Sequence, residues 1–154
     1  MSGKIEARLK ELGIELPQAA APAANYVPFV ISGKLLFVSG QLPMAGGKPA
    51  VTGVLGAGVT LAEGQRAARL CAVNIIAQAK AALGDLDRVT RIVRLGGFVA
   101  SAPDFTDQPK VVNGASDLMV EVFGDAGRHA RAAVGVNVLP LGTAVEVDAI
   151  IEFA

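Results

Sequence analysis

The chain has 154 residues, of which 52% are hydrophobic and 18% are charged, a composition that predicts one folded domain over residues 1–154 and excludes an intrinsically disordered chain. Its 14 lysine and arginine residues balance its 14 aspartate and glutamate residues, so we do not expect a cationic surface for nucleic acid, although a local basic patch stays open. One cysteine and one histidine exclude an internal disulfide and a metal site built from several of these residues.

The amino-terminal segment predicts a short helix followed by a linker. Ile5, Leu9 and Leu12 recur at helical spacing, and the stretch from Pro17 to Ala24 is rich in alanine and proline. We therefore treat residues 1–24 as an extension of the domain. The segment has neither the apolar run nor the cleavage site of a signal peptide, and no other stretch reaches the length of a membrane span. We expect a soluble, cytoplasmic protein.

Two β-type runs follow, over residues 26–31 and 34–38. A Ser-Gly pair between them predicts a hairpin, and Pro28 in the first run indicates an edge strand. Residues 44–59 are rich in glycine. The order of these glycines matches neither a dinucleotide-binding nor a phosphate-binding motif, so we interpret the segment as a flexible connection.

The first long helix is predicted from its ends. The sequence TLAE, which begins at Thr60, has the form of a capping box, and the helix that it opens runs to about Leu83 and ends at Gly84. Inside this helix, the apolar surroundings of Cys71 indicate a small buried residue rather than a nucleophile. Asn74 also lies among apolar neighbours and should need a hydrogen-bond partner.

The next predicted elements are a strand and a second long helix. The strand covers residues 89–99 and is interrupted by a Gly-Gly pair. Asp107 is the expected helix cap, with Pro109 in the first turn, and Gly124 ends the helix. The apolar positions of this helix form one stripe: Val111, Ala115, Leu118, Met119 and Val122.

Residues 129–136 and 145–153 are two apolar β-type runs around a Pro/Gly turn, which predicts an antiparallel hairpin. Side chains alternate between the faces of a strand, so Arg131 shares a face with His129, while Glu146 lies on the neighbouring strand. A buried arginine in so apolar a run needs an anion. That anion is either Glu146, in a structural ion pair, or the carboxylate of a substrate. We interpret the single histidine as solvated or structural.

These elements in this order predict an α+β domain. We expect a mixed, mostly antiparallel sheet with both long helices on one face. The other face keeps apolar side chains, and a small domain with such a face usually associates. We therefore expect a closed, symmetric oligomer.

Taken together, the motifs resemble the RidA (YjgF) family, also called the endoribonuclease L-PSP family, from about Tyr26 onward. The strongest part of the resemblance is the carboxyl-terminal pattern of Ala130-Arg131, Val134-x-Val136-x-x-Leu139-Pro140 and Val145-Glu146-Val147-Asp148-Ala149-Ile150. The other parts are Tyr26, Ser39-Gly40-Gln41-Leu42-Pro43, Asp104-Phe105 and Val112-Asn113.

This resemblance implies a chorismate-mutase-like (YjgF-like) fold assembled as a homotrimer, with ligand clefts between subunits. It implies hydrolysis of reactive enamines and imines, such as 2-aminoacrylate, to the 2-keto acid and ammonia, without a metal or organic cofactor. By the same resemblance, Arg131 holds the substrate carboxylate and Glu146 positions the attacking water. The other residues that the resemblance places in the cleft are Tyr26, Gly40, Asn113 and Ala133.

The chain also departs from the family pattern. Ala132-Ala133 stand where the family often has Ser-Cys after the arginine, so a thiol-dependent role is lost and only the backbone amide of Ala133 serves. The extension over residues 1–24 and a longer stretch before Asn113 indicate a divergent subgroup. Two other functions stay open: a non-catalytic trimer that binds small carboxylates or protects other proteins, and ribonuclease activity, suggested only by the older family name and opposed by the neutral charge and the single histidine.

Overall fold

The structure, a computed structural model, describes residues 3–21 and 25–154. In these residues the chain forms three α-helices: α1 (Lys4–Glu11), α2 (Leu61–Leu83) and α3 (Gln108–Phe123). Within the same ranges it forms nine strands: β1 (Phe29–Ser32), β2 (Leu35–Gln41), β3 (Met44–Ala45), β4 (Lys48–Pro49), β5 (Val54–Leu55), β6 (Gly58–Val59), β7 (Val89–Ala100), β8 (Ala130–Val136) and β9 (Val145–Phe153). The predicted amino-terminal helix is α1. Residues 22–24 of the predicted linker lie outside the described ranges.

The main sheet has the strand order β1-β2-β9-β7-β8. Neighbouring strands are antiparallel except for β7 and β8, which run parallel. A tight hairpin joins β1 to β2, with Ser32 opposite Leu35, and β1 lies at the edge of the sheet, as Pro28 indicated. The predicted mixed, mostly antiparallel sheet is confirmed.

The hydrophobic core lies between one face of this sheet and the two long helices. Alternate side chains of β9 point into it, as the period of a strand requires: Val145, Val147, Ala149, Ile151 and Phe153. Helix α2 packs on β9 and β2, and α3 packs on β7 and β8. Both helices therefore cover the same face, as predicted, and the apolar area that they bury there stabilises the fold by about 25 cal/mol per Å².

The predicted helix ends are largely confirmed. The backbone N–H of Glu63 donates to the hydroxyl oxygen of Thr60 at 3.2 Å, and Gly84, with φ +77°, follows the last residue of α2. The apolar stripe predicted for α3 is buried throughout. The return bond of the predicted capping box is wrong, because the Glu63 carboxylate accepts from the Thr60 hydroxyl at 3.0 Å and not from a backbone N–H. The side-chain cap at Asp107 is also wrong, because its backbone (φ −93°, ψ 28°) is not extended as a capping residue requires. Its carboxylate instead lies 3.7 Å from the ammonium group of Lys110.

Residues 44–59 form more structure than the prediction of a flexible connection allows. β3 pairs with β4 in an antiparallel manner, and β5 runs parallel to β6. The apolar side chains of this segment, Val51, Leu55 and Val59, are buried in the core. These side chains anchor the segment, which its glycine content alone did not indicate.

The predicted carboxyl-terminal hairpin is wrong. β7 lies between β8 and β9, parallel to the first and antiparallel to the second. The physical reason is burial: the core faces of β7 and β9 are apolar along their length, so these strands occupy the interior of the sheet, whereas β8 leaves Val134 exposed and takes an edge. The sequence pattern identified each strand correctly but not its partner.

The opposite face of the sheet carries exposed apolar side chains. Val30 is 51% exposed and its cross-strand partner Phe37 is 40% exposed. Val134 of the edge strand β8 is 47% exposed. An apolar sheet face of this kind is typical of an association surface.

Gly97 allows α3 to approach the sheet, because a Cβ at this position would lie 2.6 and 2.7 Å from the two methyl carbons of Val112. We expect Gly97→Ala to lower the free energy of unfolding by about 1–3 kcal/mol, since overpacking pushes helix and strand apart. Urea denaturation measures this loss. Val112→Ala removes the obstructing methyl groups, so the double variant should lose less than the sum of the two single losses. Strictly additive losses would contradict a steric cause.

Candidate functional site

Arg131 extends from β8 toward α3 and is held there by uncharged groups. Its Nη1 donates hydrogen bonds to Oδ1 of Asn113 at 2.8 Å and to Oγ of Ser116 at 3.2 Å. Within residues 3–21 and 25–154, none of the ion pairs includes this guanidinium. The positive charge of Arg131 is therefore not paired with a carboxylate of these residues. The predicted alternative of an ion pair between Arg131 and Glu146 is thus not formed in this structure.

The helical spacing of Asn113 and Ser116 explains why both face Arg131. Residues three apart lie on the same side of a helix, and this side of α3 looks toward β8. The resemblance had placed Asn113 in the cleft, and the structure shows it bound to Arg131. Sequence reasoning missed Ser116; its spacing from Asn113 was the signal that could have identified it.

His129 belongs to the same network. Its Nδ1 lies 2.6 Å from the carbonyl oxygen of Gly127, and its Nε2 lies 2.8 Å from Oγ of Ser116. A carbonyl oxygen only accepts hydrogen bonds, so in the neutral imidazole Nδ1 carries the proton and Nε2 accepts the hydroxyl hydrogen of Ser116. Both ring nitrogens of this histidine thus contact the chain, and Ser116 links the ring to Arg131 through one hydroxyl group.

These side chains line an open cavity of about 280 Å³ between α3 and the start of β8, here called the arginine cavity. Asp117 and Arg128 also line it, and Arg128 lies 3.6 Å from Asp125. Ala133, two residues after Arg131, points to the same face of β8 and packs against the core. The arginine cavity thus presents Arg131 to any small anion that enters it.

Glu146 lies on the opposite face of the sheet, beside Gly40. A Cβ at Gly40 would collide with the Glu146 carboxylate, so the glycine allows this group its present position. Burial, and secondarily the negative charge of Asp148, raises the pKa of the Glu146 carboxyl above its ordinary value. A carboxyl group of this kind holds its proton to higher pH, which suits a group that takes up and returns a proton.

A second cavity, of about 160 Å³, lies next to Gly40 and is here called the glycine cavity. Tyr26, 51% exposed, forms part of its wall. Ala20 and Ala21 form another part, and the carbonyl oxygen of Ala20 accepts a hydrogen bond from Nε2 of Gln78 in α2 at 2.9 Å. The extension that precedes the domain therefore reaches the surroundings of Gly40.

Two polar side chains of α2 have the structural roles predicted for them. Nδ2 of Asn74 donates to the carbonyl oxygens of Leu42 and Met44 at 2.9 and 3.2 Å and so holds the chain that borders the glycine cavity. Cys71 is fully buried, and its thiol lies 3.6 Å from the carbonyl oxygen of Val145. Burial raises the pKa of this thiol well above its ordinary value, which opposes the formation of a nucleophilic thiolate.

Arg131 and Glu146 do not meet within one chain. Arg131 is in register with Leu95 of β7, whereas Glu146 is in register with Phe98 of that strand. Two strand spacings and three residues along the strand separate their Cα atoms by about 14 Å. Their side chains also leave the sheet on opposite faces. The structure therefore gathers Arg131, Asn113 and Ala133 in one place. In another place Gly40 lies beside Glu146, and Tyr26 shares the glycine cavity with Gly40.

A larger cavity, of about 760 Å³, lies between α1 and the end of α3, away from every predicted site residue.

In the part of the chain that the structure describes, no group of three His, Cys, Asp or Glu side chains is placed to hold a metal ion. The helices of that part are also too short or too polar to cross a membrane.

Comparison with known proteins gives a consistent family. Residues 6–153 match the family model described as "YjgF/chorismate_mutase-like, putative endoribonuclease". Protein TCP17 of Trypanosoma cruzi is 59% identical over 152 residues, which are 98% of this chain and 95% of that protein.

Two solved structures extend this comparison. A protein of unknown function from Agrobacterium tumefaciens is 60% identical with a TM-score of 0.92, and the match covers 98% of this chain and 93% of that one. TdcF of E. coli, whose crystal structure contains bound serine, is 25% identical with a TM-score of 0.67 over 89% of this chain and 94% of that one. The chorismate-mutase-like fold is confirmed.

The raised pKa of Glu146 predicts how the stability of this protein depends on pH. The folded state binds this proton more tightly than the unfolded state, so ionisation above the ordinary glutamate pKa lowers the free energy of unfolding. Glu146→Gln removes that cost. We expect the variant to be more stable than the wild type at pH 8, with an advantage that shrinks toward pH 4, in urea denaturation at constant protein concentration.

The control for this experiment is Glu15→Gln, which removes an exposed carboxylate of the extension. The difference between its free energy of unfolding and that of the wild type should not grow from pH 4 to pH 8. An advantage of Glu146→Gln that stays constant from pH 4 to pH 8 would show that ionisation of Glu146 is not its source.

Proposed function

The chain belongs to the YjgF/chorismate mutase-like family, and from that membership we propose that it hydrolyses reactive enamines and imines that carry a carboxylate. 2-Aminoacrylate is the simplest such compound, and its products are the 2-keto acid pyruvate and ammonia. The observation that carries this proposal is the state of Arg131: a guanidinium fixed by Asn113 and Ser116 that retains its charge beside an open cavity.

Arg131 supplies the recognition of the substrate. A guanidinium matches a carboxylate with two parallel N–H···O bonds, which fix the position and the orientation of the acid together. The backbone amide of Ala133, two residues further along the edge strand β8, is the proposed second contact. An acid bound in this way is held with its neighbouring carbon atom in a defined place.

Glu146 supplies the chemistry on that carbon atom. An enamine tautomerises to the imine; the Glu146 carboxylate then takes a proton from a water molecule, whose oxygen forms a bond with the imine carbon. Glu146 passes this proton to the nitrogen, which takes up the electron pair of the C=N π bond, and a carbinolamine results. The carbinolamine then loses ammonia: its hydroxyl proton moves through Glu146 to the nitrogen, the C–N bond breaks with its electron pair on nitrogen, and the C=O bond of the keto acid forms. A carboxyl group with a raised pKa suits both transfers, because its protonated and ionised forms are closer in free energy at neutral pH.

The two halves of this site come together only between copies of the chain. Arg131 and Glu146 lie about 14 Å apart on opposite faces of one sheet, a separation too large for one small substrate. We propose a homotrimer in which Arg131, Asn113 and Ala133 of one copy face Tyr26, Gly40 and Glu146 of the next. The exposed apolar side chains of Val30 and Phe37 support an association through the sheet face.

A second function has one observation in its favour. The TdcF structure contains bound serine, a small carboxylate-bearing molecule, so the same cleft would also serve a trimer that only binds such ligands. That function predicts stabilisation by the ligand without turnover of any imino acid. Ribonuclease activity has less support, because the chain has no net charge and a single histidine.

The first test replaces the carboxylate-binding group. Arg131→Ala should lower kcat/KM for ammonia release, from 2-aminoacrylate generated in situ, by about 100-fold or more, because the substrate carboxylate loses a charged partner. Arg69→Ala is the matched control, since it removes an exposed arginine of α2 that pairs with Glu121. An unchanged rate in Arg131→Ala would refute the proposed role.

The second test asks whether the site lies between copies. Arg131→Ala and Glu146→Gln should each be inactive alone. Unfolded together in equal amounts and refolded, they should regain activity in about a quarter of the clefts, namely those that receive both native residues from two different chains. A mixture that stays inactive, although mixed trimers are demonstrated by mass spectrometry, would place both residues of a working site in one chain.

A further inference from the structure

We propose that Ser116 and His129 are positioning residues for Arg131, and that with Asn113 they reserve the Nε/Nη2 edge of its guanidinium for the ligand carboxylate. This inference rests on the proposed function, in which Arg131 binds that carboxylate. Asn113, Ser116 and His129 orient the guanidinium, and its Nε/Nη2 edge is left to the ligand.

The guanidinium of Arg131 uses some of its N–H donors within the chain and leaves the others unused. Arginine has five N–H donors: one on Nε and two on each terminal nitrogen. Both hydrogens of Nη1 are in use, one toward Oδ1 of Asn113 and one toward Oγ of Ser116. The hydrogens of Nε and Nη2 make no hydrogen bond to the described residues. Nε–H and one Nη2–H point the same way, and together they form the fork that a carboxylate fits.

Arg131 and His129 together orient the hydroxyl group of Ser116. A hydroxyl group that accepts from Arg131 must direct its own hydrogen elsewhere, and Nε2 of His129 lies 2.8 Å away to accept it. Nε2 accepts because the proton of the ring is on Nδ1, bound to the carbonyl oxygen of Gly127. The backbone at Gly127 thus sets the tautomer of His129, His129 sets the hydroxyl of Ser116, and Ser116 presents its oxygen to Arg131.

The groups that hold the Arg131 guanidinium carry no charge. In this arrangement every partner of the Arg131 guanidinium is neutral, so the network orients the group without competing with a ligand for its charge. The other charged side chains of the arginine cavity are Asp117 and Arg128, and neither bonds to Ser116 or His129. A carboxylate in the place of Ser116 would hold the guanidinium too, but it would also form the ion pair that the ligand is meant to form.

The network has a spectroscopic signature that does not depend on activity. His129 is the single histidine of the chain, so its ring nitrogens are assigned without ambiguity in a long-range ¹H–¹⁵N correlation spectrum recorded at alkaline pH. We expect a protonated Nδ1 and an unprotonated Nε2. Ser116→Ala should shift the Nε2 resonance, because that nitrogen loses its hydrogen-bond donor. A ring protonated at Nε2 would overturn the proposal.

The kinetic test separates positioning from chemistry. Ser116→Ala should raise KM for 2-aminoacrylate about 10-fold with kcat nearly unchanged, because Arg131 binds the ground state and the transition state alike. Ser116→Thr keeps the hydroxyl oxygen and should restore KM. His129→Gln keeps a hydrogen-bond acceptor within reach of Ser116, so its KM should stay closer to the wild-type value than the KM of His129→Ala. Ser32→Ala, which removes an exposed hydroxyl of β1, is the matched control.

Three results would overturn this inference: an unchanged KM in Ser116→Ala, a loss confined to kcat, or covalent labelling of Ser116 by a fluorophosphonate, which would make it a nucleophile. Failure of the proposed function looks different, because the wild type itself would then release no ammonia. In that case the dissociation constant of pyruvate, measured by calorimetry, replaces KM and should rise about 10-fold in Ser116→Ala. The tautomer of His129 decides the proposal if pyruvate does not bind.

Discussion

The two hydrogen bonds that Arg131 makes to Asn113 and Ser116 are the interaction on which the candidate site depends. A guanidinium at the edge of an apolar sheet is stabilised either by a carboxylate or by neutral oxygen atoms, and the two have opposite consequences. A carboxylate satisfies its charge and leaves little affinity for another anion. Amide and hydroxyl oxygens fix its position and leave the charge available. Arg131 is in the second situation, and the proposed function assigns its charge to the carboxylate of a small acid.

The packing of α3 on the sheet produces this arrangement. Gly97 of β7 is in register with Ala133 of β8, and the missing side chain at Gly97 admits Val112 of α3. Asn113 is the next residue of the helix. The close approach that buries the apolar stripe of α3 therefore also sets the distance between Asn113 and Arg131, so the core and the site share one contact.

The remaining chemistry lies on the other face of the sheet. Gly40 leaves room for the Glu146 carboxylate, and partial burial of that group raises its pKa. The extension reaches the same region through Ala20. In the proposed mechanism Arg131 binds the acid on one face and Glu146 transfers protons on the other. One small substrate can reach both groups only where the faces of two copies meet. Catalysis by this mechanism therefore requires assembly of the chain into an oligomer.

The sequence alone determined the elements and their buried faces, because these follow from local spacing: the stripe of α3, the Thr60 cap and Gly84 end of α2, and the alternation along β9. The charged residues Arg131 and Glu146 were candidates from their apolar strands alone, and the resemblance to a family supplied the other candidate residues. Only the tertiary structure decided which strands are neighbours, since pairing depends on segments far apart in the chain and on how much apolar surface each strand can bury. The insertion of β7 between β8 and β9 separated Arg131 from Glu146, and the packing of α3 brought Ser116 and His129 to Arg131. Helical spacing places Asn113 and Ser116 on one side of α3, but only the tertiary packing decides which strand that side contacts.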